Sequence, residues 1–228
     1  MLYAVLTAIL LLLVYLPSLW VRAVLHKHSS DLAELPGTGG ELAEHLIGRF
    51  ELHGIKVETA DPLGDHFDPT DKTVRLTSKN FSGKSLTAVA VAAHEIGHAI
   101  QFHRGEKIFE LRKKYLPTAI FLKRLGILIL AAIPVIGILI KSTAAILIVV
   151  VLSLALQLMG ALAYLIVLPE EWDASFNKAL PILLEGEYIQ PEQAKAVHSV
   201  LKAAALTYVA GALADIVNIG RWLIILRR

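Results

Sequence analysis

The chain has 228 residues, 55% of them hydrophobic and only 18% charged, a balance too apolar for an ordinary soluble domain and typical of a membrane protein. It contains no cysteine, so disulfides and thiolate metal sites are excluded and any metal must be held by histidines and carboxylates. A formal net charge of +2 gives no ground for a nucleic-acid partner.

Leu2 to Val21 carries no charged residue and is about as long as a spanning helix must be. No basic segment precedes it and no A-x-A site follows, so it reads as an uncleaved transmembrane anchor over residues 1–25 and not as a signal peptide. A polar region follows, residues 26–118. Ser30–Gly40 is rich in Pro and Gly and reads as a turn. Glu41–His53 has helical periodicity (Leu42, His45, Leu46, Arg49, Phe50, His53) and stops at Gly54. Ile55–Thr59 alternates as a short strand, and Thr73–Thr77 reads as a second strand beyond a turn-rich stretch. "FSGKS" is a loop with Ser82 or Ser85 as N-cap, and Leu86 to about Phe102 is a helix.

Residues 119–168 read as a transmembrane hairpin. Leu125–Ile140 is free of charge and is lengthened backwards through Pro117–Leu122, with Lys123 and Arg124 snorkelling. Gly137–Thr143 makes the connection, and Thr143–Leu168 is the clearest span. Residues 169–200 form a second polar stretch that Pro169 opens with a new turn. Residues 201–228 form a C-terminal hydrophobic helix with Asp215, Asn218 and Arg221 on roughly one face, a pattern expected of structural contacts inside the protein. Arg104, Lys107, Arg112, Lys113, Lys114, Lys123 and Arg124 flank the start of the hairpin, while its tip has only Lys141. By the positive-inside bias both polar stretches face the cytoplasm, although Arg227 and Arg228 pull the other way. The expected architecture is a mainly α, multi-pass cell-membrane protein with about four hydrophobic helices and a small α+β catalytic domain.

The chemistry is concentrated in "VAAHEIGHAIQ", Val91–Gln101. His94 and His98 lie one helical turn plus about 40° apart, so their imidazoles project from one face and can share a metal ion. Glu95 stands beside them, placed to reach a water on that metal. Two His ligands with a Glu general base on one helix is the arrangement of helical zinc proteases. The competing reading, ordinary surface residues of a helix, is weakened by the surrounding Ala, Val and Ile, because three buried ionisable groups need partners. The metzincin extension is excluded, since its Gly and His positions hold Gln101 and Arg104. The third ligand is then a distant carboxylate on the same side of the membrane. "LPEEWDASFNKAL", Leu168–Leu180, offers Glu170, Glu171 and Asp173.

"DHFDP", "LTAVAVAAHEIGHAIQ", "LPEEWDASFNKAL" and "LKAAALTYVAGAL" together resemble the YugP-type family of membrane zinc metallopeptidases, which are gluzincin-like and related to the HtpX and Ste24 membrane proteases. The resemblance runs through nearly the whole chain. It implies a zincin-like catalytic domain with one catalytic Zn2+, His94, His98 and Glu171 as ligands, and Glu95 as general base. Ala174 matches the related E-x-x-A pattern, but Ser175 stands where those proteases have Asp. Asp173 is the expected hydrogen-bond partner of a ligand histidine, and Glu170, where the family has an apolar residue, is given no role. The resemblance further implies that Thr73, Val74, Arg75, Leu76 and Thr77 form an edge strand that pairs with substrate backbone. Tyr208 is the candidate oxyanion donor, against a reading as core packing. His66, which turn chemistry does not explain, is a candidate for orienting the site. His26, His28, His45, His53, His103 and His198 are treated as non-ligands.

The implied function is a membrane-embedded zinc endopeptidase acting on protein or peptide substrates, membrane proteins included, in contact with the lipid bilayer. The alternative is a catalytically silent scaffold or chaperone-like protein. Retention of Glu95 favours the enzyme. A transporter or channel needs polar residues inside several helices, and only the last apolar helix has them.

Overall fold

The computed structural model describes residues 2–60, 64–139, 142–162 and 164–213. Helix α1 spans Leu2–Lys27. Helix α2, Gly39–Arg49, starts at Thr38, whose hydroxyl accepts from Glu41 N–H while the Glu41 carboxylate accepts from Thr38 N–H. This capping box satisfies two amides that the first helical turn leaves open. The helix is followed by Glu51 at φ 51° and Gly54 at φ 81°, left-handed positions that turn the chain into the sheet.

The sheet has three strands, one more than the sequence pattern shows: β1 Lys56–Thr59, β2 His66–Asp68 and β3 Thr73–Leu76, in the order β1-β3-β2. β3 pairs in parallel with β1 (Lys56 opposite Thr73) and antiparallel with β2 (Phe67 opposite Val74). The expectation of an edge strand over Thr73–Thr77 is therefore overturned. β3 is central, both of its hydrogen-bonding edges are filled, and it cannot accept a further strand. Three residues of "HFD" were too short for their alternation to be visible beside the Asp and Pro turn signals. Arg75 reaches from β3 to Asp68 Oδ2 at 2.7 Å and Asp71 Oδ2 at 2.6 Å, and so fastens the β2–β3 turn.

After the short α3, Ser78–Ser82, the helix α4 runs from Leu86 to His103. Ser85 is its N-cap, accepting from Ala88 N–H at 3.1 Å. Every residue from Leu86 to Gln101 is buried. The Ala-rich sequence makes this possible, because small side chains let neighbours approach on all sides. Helices α2 and α9 (Ala194–Ala205), strands β2 and β3, and the segment after α7 all pack on it.

Helix α5, Lys107–Leu139, begins well before the expected hairpin start, because the basic run after Lys107 is built of good helix formers. Helices α6, Thr143–Leu162, and α7, Tyr164–Trp172, follow. Pro169 lies inside α7 and does not open a new turn. From Asp173 to Ala179 the chain widens into a π-helix, in which Leu180 N–H reaches back to Ser175 O. Then come α8, Leu180–Glu185, a 3-10 turn at Pro191–Gln193, and α9. The apolar C-terminal stretch is helical again over Thr207–Leu213, bent by 42° from the helix before it. Asp215, Asn218 and Arg221 lie outside the described residues.

The helices Lys107–Leu139 and Thr143–Glu185 are long and apolar enough to cross a membrane, and a third joins them if Pro191–Ala205 and Thr207–Leu213 are one bent span. The chain divides into two compact units. One holds Met1–Pro17, Leu111–Val167 and Tyr208–Arg228; the other holds Ser18–Glu110 and Leu168–Thr207. In the first, Gly126 on α5 meets Ser153 O on α6 so closely that a Cβ would lie 2.5 Å from it, a small-residue contact of the kind that holds apolar helices together.

Candidate metal centre

The second unit brings α4 and α7 together. Three ligand-type atoms converge there: His94 Nε2 and His98 Nε2 are 3.2 Å apart, and Glu171 Oε2 is 3.2 Å from the first and 3.4 Å from the second. All three residues are buried, with at most 4% of their surface exposed. Ligands at 2.0–2.1 Å in a tetrahedron around zinc are about 3.3–3.4 Å apart, so the triangle has the size of one face of that tetrahedron.

The far sides of the imidazoles fix their tautomers. Gln101 donates through Nε2 to Glu170 O at 3.0 Å and Asp173 Oδ2 at 2.8 Å. Both are acceptors, so the amide has one orientation, and Gln101 Oε1 must accept the proton of His98 Nδ1 at 2.9 Å. Ser175 Oγ donates to Leu201 O at 3.2 Å and is left to accept from His94 Nδ1 at 2.9 Å. Each Nδ1 therefore carries hydrogen, and each Nε2 is the nitrogen left to face Glu171 and to serve a metal. Two lone pairs and a carboxylate aimed at one point repel unless a cation sits between them. The residues present fit a zinc ion, with the fourth coordination position left to water or substrate.

The electrostatics agree. Burial alone lowers the pKa of His98, but Glu171 and Glu170 beside it outweigh that and raise it well above its usual value. The pocket seeks positive charge. Burial raises the pKa of Glu95, His94 and His98 pull it back, and Glu171 and Asp65 add to the rise. A carboxylate shifted upward is a better proton acceptor near neutral pH than an exposed one.

Gly97 explains how the helices come so close. A Cβ there would lie 2.7 Å from Ala174 O and 3.1 Å from Ala174 Cα. Only glycine lets the π-segment lie against α4, with Ala174 as the small residue on the other side.

The remaining expected residues are placed differently. Asp173 does not touch a ligand histidine. It accepts from Gln101, from Asn177 Nδ2 at 2.8 Å and from Lys178 Nζ, so it acts one residue further out. Its spacing from Glu171 was visible in sequence, but the intervening amide was not. His66 Nδ1 bonds Gly64 O at 2.9 Å, a local contact at the start of β2 and not one that orients the triad. Tyr208 belongs to the hairpin unit, where its hydroxyl accepts from Arg112 Nη2 at 2.9 Å and the guanidinium lies 5.4 Å from its ring centroid.

Four residues were missed. Gln101 and Ser175 stand at i+3 from His98 and i+4 from Glu171, helical spacings that could have drawn attention. Glu170, fully buried with Oε1 3.3 Å from His98 Nδ1, was among the candidate carboxylates but was given no role because the family it resembles has an apolar residue there. Asp65 accepts from Thr77 N–H at 2.7 Å and Asn80 Nδ2 at 2.8 Å, which secures the chain just after β3.

Residues 3–227 match a family model described as "Putative neutral zinc metallopeptidase". The chain is 33% identical to "Putative membrane protease YugP" of Bacillus subtilis (strain 168), over 99% of this chain and 96% of that protein. No solved structure matches significantly. The likeness takes in both helices that carry the ligand triangle, and with it the chain belongs to this family of zinc metallopeptidases.

Proposed function

We propose that the protein is a membrane-embedded zinc endopeptidase whose metal is held by His94, His98 and Glu171. The observation that carries this reading is the buried triangle with both Nδ1 atoms occupied and both Nε2 atoms turned inward. A zinc ion held by His94, His98 and Glu171 would supply Lewis acidity and would bring the pKa of water toward about 7. Glu95, buried on the same helix beside His94, takes the proton of the attacking water and delivers it to the leaving amine. His94 and His98 keep their orientation throughout, because Ser175 and Gln101 hold the other nitrogen. The three-residue group is the ligand set that the gluzincin-like, zincin-like resemblance implies for one zinc.

With β3 closed on both sides, the outer edge of β2 takes over as the strand that pairs with substrate. It packs on α4, whereas β1 packs on α2. α5 and the apolar stretch that begins with α6 form a transmembrane hairpin, and the site faces the cytoplasm on the positive-inside count. Substrates are proteins or peptides, membrane proteins among them.

Zinc content of purified protein tests the ligand set. Wild type is expected to hold one equivalent, and His94→Ala and Glu171→Ala far less; full occupancy in both variants would remove the proposed site. Glu95→Gln is expected to keep its zinc and lose at least about 100-fold in cleavage of casein or a membrane substrate. Cleavage at the wild-type rate would rule out Glu95 as the base.

A further inference from the structure

We infer that Gln101 is the positioning residue that sets the separation of the two ligand-bearing helices and thereby the size of the metal site. The inference rests on the metal reading of His94, His98 and Glu171. Gln101 has no exposed surface. Its one acceptor is used on the ring of His98, and its two donors are used on the opposite helix, at the carbonyl of Glu170 and the carboxylate of Asp173. The carbonyl it holds belongs to the residue directly before Glu171. One amide group therefore bridges a ligand on α4 and the backbone beside a ligand on α7, whose coordinating atoms lie 3.4 Å apart.

The amide is itself locked. Asp173 is bound by Lys178, and Lys178 Nζ donates to Glu106 Oε2 at 2.9 Å. Glu106 N–H donates in turn to the backbone carbonyl of Gln101 at 2.9 Å. The polar path runs from the Gln101 side chain through Asp173, Lys178 and Glu106 back to the Gln101 main chain, and closes. A closed ring of bonds admits one rotamer, because turning the amide over would set its NH2 against His98 Nδ1–H and its oxygen against a carbonyl and a carboxylate.

A reserve acceptor is also present. Glu170 Oε1 lies 3.3 Å from the same His98 Nδ1. When the amide is removed, that carboxylate can take the proton and preserve the tautomer. What it cannot restore is the link to Asp173 and to the Glu170 carbonyl. Loss of Gln101 should thus loosen the site without abolishing it. This separates a spacing role from a role in tautomer choice alone.

The test uses full-length protein in detergent micelles, with zinc affinity from chelator competition and the absorption of the Co2+-substituted protein as a report on coordination geometry. Gln101→Met is expected to bind zinc about 10–100-fold more weakly and to shift the cobalt bands. Gln101→Glu keeps the oxygen facing His98 but loses both donors, and is expected to be weakened too. The pair Gln101→Glu with Asp173→Asn reverses donor and acceptor across the inter-helix bond and is expected to recover part of the affinity. If Gln101→Met does not fold, the isosteric Gln101→Glu and the pair give the same readout. Wild-type affinity and an unchanged cobalt spectrum in the folded single variants would overturn the inference while leaving the ligand set intact. Equal zinc uptake by wild type and His94→Ala would overturn the ligand set, and the inference with it.

Discussion

Ser175 shows how a single side chain completes the centre. From the sequence, Asp173 was the expected partner of a ligand histidine and Ser175 had no role. In the structure its hydroxyl, fixed by the carbonyl of Leu201, takes the Nδ1 proton of His94. A neutral acceptor orients the ring as a carboxylate does but adds less basicity to it. Ser175→Ala is expected to weaken zinc binding by about 10-fold, and Ser175→Asp to retain or strengthen it. Chelator competition on the two variants decides this; equal affinity of Ser175→Ala and wild type would leave the hydroxyl without a role. The residues of the candidate metal group were legible, because His94 and His98 share a local helical spacing and Glu171 sits in a recognisable motif. Their partners were not. Gln101 stands at i+3 from His98, but its bonds to Glu170 and Asp173 span 69 and 72 positions and the Ser175–His94 bond spans 81, and no periodicity within one helix records such pairings.

At the scale of elements, helices were easier to read than the sheet. α4 combines an N-cap serine with a long apolar run, and its observed bounds fall within a residue or two of those its composition predicts. β1 and β3, four residues each, were legible by alternation to within a residue, whereas the three residues of β2 were hidden among the turn signals around them. The π-segment was invisible for a different reason: a wider turn has no composition of its own, and what holds it is contact with α4. That contact passes through Gly97. Gly97→Ala would put a methyl group 2.7 Å from Ala174 O, and backbone on both sides limits relaxation. A cost of about 1–3 kcal/mol is expected, with weaker zinc uptake, since the displaced segment follows directly on Glu171. Gly48, on α2, has nothing within 4 Å of its Cβ position and serves as the control. Gly48→Ala should be neutral or stabilising by up to about 1 kcal/mol. Melting curves of the two variants compare the sites directly, and equal stability would mean that α4 and the π-segment are not held at that distance.

For the whole molecule, the ligand triangle constrains how the chain can cross a membrane. His94 and His98 precede both apolar helices, Glu171 lies near the C-terminal end of the second, and all three share one packed unit. Whatever the intervening chain spans, it must cross an even number of times. The absence of cysteine makes this measurable without background. Single cysteines placed at Glu44 on α2 and Lys195 on α9, both exposed, mark the unit before and after the hairpin. A third at Ser142, exposed between α5 and α6, marks the turn. In intact cells a membrane-impermeant maleimide is expected to label Ser142→Cys and to reach Glu44→Cys and Lys195→Cys only after permeabilisation. Labelling of Glu44→Cys and Lys195→Cys from opposite sides would be incompatible with a shared metal centre. Labelling of all three from one side would keep the centre and discard the hairpin as a pair of spans. The reverse pattern, with Ser142→Cys protected and the other two accessible from outside, would keep both and place the site outside the cell, against the direction that Arg112, Lys113 and Lys114 at the base of α5 impose.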